Sequence, residues 1–85
     1  MLTNKRQNQN RVNKIILALK QARINRGITR YQLSKDTGLS DSSISNIEQL
    51  KQNPTLSTLM EMSVSINFDL PKAIKENYPD LPDDT

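Results

Sequence analysis

Apolar positions along the chain recur at helical spacing in five short stretches separated by capping and turn residues. Val12, Ile15, Ile16, Leu19 and Ala22 repeat at i, i+3, i+4 and i+7, which predicts a first helix of about four turns, closed by Gly27 in the left-handed conformation. The run "TRYQ", Thr29 to Gln32, has the form of a capping box and opens a short second helix that buries Leu33 and ends at Gly38. Ser40 is a suitable N-cap for a third helix, with Asp41 in its first turn and an apolar stripe of only Ile44 and Ile47. After the "KQNP" break, Thr55 caps a fourth helix expected to present Leu56, Leu59, Met60, Ser63 and Ile66 to the core, with Asn67 in the left-handed position at its end. A fifth begins at Asp69 with Pro71 in its first turn, where a missing N–H costs nothing, and buries Leu70, Ala73 and Ile74. The pattern predicts an all-α fold: a compact five-helix domain over residues 11–77, preceded by a flexible basic and polar arm, 1–10, and followed by an acidic, extended tail, 78–85.

The third helix has an unusual outer face. Opposite the isoleucines lie Ser42, Ser45, Asn46 and Gln49, short hydrogen-bonding side chains with no Lys or Arg among them. Such a face either keeps a small surface soluble or reads the edges of bases, for which short donors and acceptors suit the major groove. On the residues alone the two readings stand level.

Charge and composition narrow the classes. Residues 1–35 carry nine Lys or Arg and no acid, whereas residues 36–85 carry three Lys against nine Asp or Glu. A cationic half favours an acidic polymer, and nucleic acid is the commonest, although a solvated basic helix has the same composition. With no His and no Cys, zinc fingers, disulfides, thiol nucleophiles and imidazole chemistry are excluded. One Phe, two Tyr and no Trp in 85 residues leave little for an enclosed pocket, so neither an enzyme nor a cofactor or metal site is expected. No apolar run approaches the roughly 20 residues of a membrane span, and the N-terminus lacks a signal segment. The expectation is a cytoplasmic, nucleoid-associated protein.

The run "RGITRYQLSKDTGLSDSSISNIEQLKQNPTLSTLMEMSVSINFDL" resembles the Cro/cI-type (lambda-repressor-like, XRE) helix-turn-helix family. The turn glycine, the Ile-x-x-Ile-Glu ending, the Asn-Pro break and the final Asn-Phe-Asp-Leu occur in order, and the similarity extends over about residues 11–75. The resemblance implies that the third helix reads bases through Asp41, Ser42, Ser45 and Asn46, with Gln49 at its edge. Asp41 would accept from a cytosine amine or serve only the helix dipole. Phosphate contacts are implied for Arg30, Ser40, Ser43, Lys51, Gln52 and Asn53. Arg30 stands where the family usually has Gln. Arg23 and Glu48 match a structural ion pair. Leu50 departs from the family's usual Gly, and since Leu disfavours positive φ, the third helix is expected to run a residue longer or the loop to differ.

The resemblance implies a regulator of transcription that binds double-stranded DNA, in its commonest form a repressor on a palindromic operator. A homodimer is expected, with leftover apolar residues Phe68, Leu70, Ile74 and Tyr78 at its interface. An antitoxin with a toxin partner, or a protein–protein adaptor that keeps the fold without binding DNA, would have the same pattern.

Overall fold

The five stretches fold as α1 (Lys5–Asn25), α2 (Arg30–Thr37), α3 (Asp41–Glu48), α4 (Leu56–Ser65) and α5 (Leu70–Asn77). This computed structural model describes residues 4–82, among which there is no strand; the fold is all-α. Each helix starts on a side chain that satisfies one of its unpaired N–H groups. Thr29 Oγ1 accepts from the Gln32 N–H at 3.0 Å while Gln32 Oε1 accepts from the Thr29 N–H at 2.8 Å, closing the capping box. Ser40, Thr55 and Asp69 accept in the same way at the starts of α3, α4 and α5.

Three helices end in the same hydrogen-bonded hook. At Gly27, Leu50 and Asn67 the chain turns left-handed, with φ of 70°, 63° and 58°. The next N–H then reaches back to the helix, as in Ile28 to the Arg23 carbonyl at 3.1 Å and Lys51 to the Asn46 carbonyl at 2.9 Å. Of the two outcomes expected from Leu50, a longer third helix or a different loop, the longer helix does not form. Leu50 instead takes the conformation glycine usually supplies, and α3 stops at Glu48.

The main core joins Ile16 and Leu19 of α1, Leu33 of α2, Ile44 and Ile47 of α3, and Met62 and Ile66. A smaller cluster of Ile15, Leu70 and Ala73 docks α5 on α1, and Leu59 and Phe68 pack against both clusters. On α4 the expectation needs correcting, because Leu56 is 66% and Met60 50% exposed while Met62 is fully buried. The helix carries two apolar stripes about a third of a turn apart. Leu59, Met62, Ser63 and Ile66 face inward; Leu56, Met60 and Val64 face out.

Both chain ends also differ from expectation. The arm expected over 1–10 is helical from Lys5, opened by a second capping box in which Asn4 and Gln7 bond each other's backbone N–H. Polar ties hold this segment in place of buried apolar area. Tyr78 Oη donates to the Asn8 side chain, and Gln9 bonds Asn13. Residues 78–82 turn back instead of extending: Asp80 meets Arg11 at 2.7 Å, and the Arg11 guanidinium lies 4.9 Å from the Tyr78 ring centre. The hydrogen bond from Arg11 holds the exposed Asp80 carboxyl below the usual aspartate range. The rest of the expected arm and tail, 1–3 and 83–85, lies outside the described residues.

Replacing Leu50 with Gly should raise stability by about 1 kcal/mol, because the left-handed backbone strains an L side chain and not glycine. Urea unfolding measures it. A loss of stability would show that packing of the Leu50 side chain, 39% exposed, outweighs the relief of the backbone.

Candidate nucleic-acid interface

The outer face of α3 is set by what its inner face does. Ile44 and Ile47 are no more than 1% exposed, so the opposite surface, with Asp41 and Ser42, is turned to solvent. Ser45 and Asn46 are half-buried beside them. Ser45 Oγ accepts from Gln49 Nε2 at 2.8 Å, which holds the two side chains in one arrangement along the helix. Ser43 is half-buried and its hydroxyl accepts from Ser40 Oγ at 2.9 Å, so it belongs to the cap more than to the open face.

The turn between α2 and α3 is fixed by side-chain oxygens. Ser34 Oγ donates to the Leu39 carbonyl, Thr37 Oγ1 donates to the Leu33 carbonyl, and the Leu39 N–H donates to Thr37 Oγ1. Gly38 supplies the left-handed residue this turn requires, with φ of 78°. Around α3 stand the residues named for phosphate contact: Arg30, exposed at the first turn of α2, Ser40 at the N-cap of α3, and Lys51 and Gln52, exposed in the loop after it. Among the described residues Lys51 forms no ion pair, and the nearby Glu48 is buried.

Glu48 is buried by a specific partner. Arg23 Nε donates to Glu48 Oε2 at 2.7 Å and Nη2 to Oε1 at 2.8 Å, a two-pronged pair, while Nη1 donates to the Ile28 carbonyl at 2.7 Å. The side chains are 10% and 2% exposed. A carboxylate at a helix C-terminus meets the negative end of the dipole, and the guanidinium offsets that repulsion. One side chain thereby locks the end of α3 to α1 and to the residue before the α2 cap.

Asn53 is placed differently from the other loop residues. Its amide forms a reciprocal pair with Gln9, Gln9 Nε2 donating to Asn53 Oδ1 at 2.9 Å and Asn53 Nδ2 to Gln9 Oε1 at 3.0 Å. That leaves Asn53 one side-chain N–H for any other contact. Gln9 had no signal in the sequence, because it is one of four consecutive amides, Gln7 to Asn10, with no apolar period to single it out. Among the described residues, no group of three or more Cys, Asp or Glu side chains converges as metal ligands would.

Of the apolar residues expected at a dimer interface, Phe68, Leu70 and Ile74 line one groove. Leu70 is buried, Phe68 packs against the core, and Tyr78 is turned to Asn8. The second, outward stripe of α4 lines the same groove through Leu56, Met60 and Val64, with Pro71 of α5.

The sequence of residues 19–71, more than half of the chain, matches the model of a helix-turn-helix family. No curated protein and no solved structure gives a significant match.

Changing Glu48 to Ala should destabilise the protein by about 3–5 kcal/mol, since it strands the buried Arg23 charge. Urea unfolding again provides the measurement. A cost below about 1 kcal/mol would mean that water reaches and solvates Arg23 once the carboxylate is gone.

Proposed function

The chain belongs to the Cro/cI-type helix-turn-helix family of DNA-binding transcription regulators, and from that premise we propose that it represses transcription as a homodimer on a two-fold symmetric operator. The observation that carries the reading is the outer face of α3: short, neutral side chains beside Asp41, on a helix locked at its end by Arg23 and Glu48. In this reading Ser42, Ser45, Asn46 and Gln49 contact base edges, and Asp41 meets a cytosine amine. Arg30, Ser40, Lys51 and Gln52 hold the backbone on either side, with Ser43 and Asn53 supporting Ser40 and the loop.

Strength and selectivity divide between these groups. Cations on phosphates give affinity that falls steeply with salt, whereas serine and asparagine on bases give discrimination. One eight-residue helix spans too few base pairs for a useful specificity ratio, which favours a pair of helices on adjacent half-sites about 34 Å apart. The exposed α4 stripe supports this, since Leu56, Met60 and Val64 are 66%, 50% and 82% exposed and form one face with α5. Repression is the simplest regulatory outcome, because occupying a promoter excludes polymerase without any activating surface.

Two measurements test the reading. Sites selected from a random duplex pool should be palindromic, and changing Ser42, Ser45 or Asn46 to Ala should weaken binding to them by about 1–3 kcal/mol while binding to random DNA stays unchanged. Equal losses on both DNAs, or none on either, would refute base reading by α3. Changing Val64 to Asp should convert a dimer seen by sedimentation into a folded monomer, because the charge would be buried at the interface. A parent chain that sediments as a monomer both free and on its operator contradicts the dimer.

A further inference from the structure

The first two turns of α1 are an element without an apolar reason to exist. From Lys5 to Asn10 no residue joins either core cluster, yet the segment is helical and tied to two separate parts of the fold. Gln9 forms the reciprocal amide pair with Asn53, and Asn8 accepts from Tyr78. The first tie reaches the loop directly after α3.

Charge at this end runs against what a solvated helix favours. Lys5 and Arg6 occupy the first two helical positions, at the positive end of the dipole, and the first turn contains no acid. Both are exposed, and among the described residues neither forms an ion pair. They lie four and three residues before Gln9, so they share its side of α1, within about 6 Å of it along the axis. Lys51 is exposed in the loop that this amide pair ties to α1, two residues before Asn53. Two exposed cations without an ion pair suit a polyanion, and the tie through Gln9 and Asn53 to the loop after α3 favours DNA.

We propose that the first two turns of α1 bind the phosphodiester backbone of duplex DNA beyond the base pairs read by α3, through Lys5 and Arg6, and that the Gln9–Asn53 amide pair sets their position. This rests on the DNA-binding reading above and adds a contact that the reading does not require. Lys5 and Arg6 neutralise phosphates flanking the half-site, and Gln9 is a positioning residue that acts through Asn53. The contact carries no base information, so it strengthens binding to every sequence alike.

The test compares the parent chain, the double variant Lys5→Ala/Arg6→Ala, Gln9→Ala and, as a control that removes a single cation on α5, Lys72→Ala. Binding is measured by fluorescence anisotropy against salt on two duplexes, one trimmed to the selected site and one carrying several flanking base pairs. Alanine is a good helix former, so circular dichroism should show α1 intact in the double variant. On the long duplex the double variant should lower the slope of log K against log salt by between about 1 and 2, the loss of one or two phosphate contacts. The parent should prefer the long duplex and the double variant should not. Gln9→Ala should lose part of that preference with both cations retained, and Lys72→Ala should keep all of it.

If the parent binds its site and the double variant matches it in slope and in preference for flanking DNA, this proposal fails and the base-reading role of α3 stands. A parent that retains no duplex at all overturns the DNA reading and this contact with it. Loss of binding to anionic phospholipid vesicles in the double variant, with DNA binding unchanged, would assign the cations to a membrane surface and equally overturn the proposal.

Discussion

The bidentate contact between Arg23 and Glu48 is the constraint on which the geometry of the helix pair depends. An eight-residue helix with two core isoleucines has too little buried surface to fix its own orientation. The guanidinium supplies what packing does not, since its planar fork accepts only a narrow range of approach by a carboxylate. Its third donor, on the Ile28 carbonyl, extends the same constraint to the start of α2. The relative placement of three helices is thus written into one side chain. The isoleucines decide which face of α3 is hidden, and the ion pair decides where the helix end sits.

Elsewhere the fold is held largely at helix ends. Hooks at Gly27, Leu50 and Asn67 and caps at Thr29, Ser40, Thr55 and Asp69 satisfy the groups a short helix leaves open. In helices of eight to ten residues those groups are a large share of the backbone, so caps matter here more than in longer helices. The chain has little apolar surface to spend, and it uses hydrogen bonds with defined geometry instead. The same economy appears at α1, where amides, a phenol and one surface ion pair hold a polar segment in place.

Where the sequence was legible, a periodic apolar stripe or a local cap carried the signal. The cores of α1, α2 and α3, the capping box at Thr29 and the left-handed Gly27 and Asn67 all depend on residues within a few positions of each other. The helical character of residues 5–10 went unread although Asn4 and Gln7 form a local capping box, because the segment has no apolar period and its other partners, Asn53 and Tyr78, lie 44 and 70 residues away. On α4 the difficulty was a surplus of signal. Two apolar stripes compete for the inward side, and only the packed fold decides that Met62 enters and Leu56 and Met60 stay out. Leu50 failed for a third reason: local preference opposed positive φ, and the hook closing α3 overrode it. For the candidate site, the residue types on the outer face of α3 were readable from the start. The engagement of Asn53 by Gln9 and of Gln49 by Ser45 was not, since polar side chains choose partners only once the backbone is placed.

The short side chains of that outer face have a thermodynamic consequence. Serine and asparagine have few rotamers to lose, and Ser45 and Gln49 already hold one another in a single arrangement. Longer Lys or Arg side chains there would each surrender more conformational entropy on being fixed against a partner. Most of the cost of ordering this surface is therefore met during folding, before any partner arrives. A surface of this kind distinguishes partners by mismatch of shape and hydrogen bonds, because it has little freedom with which to adapt to a wrong one.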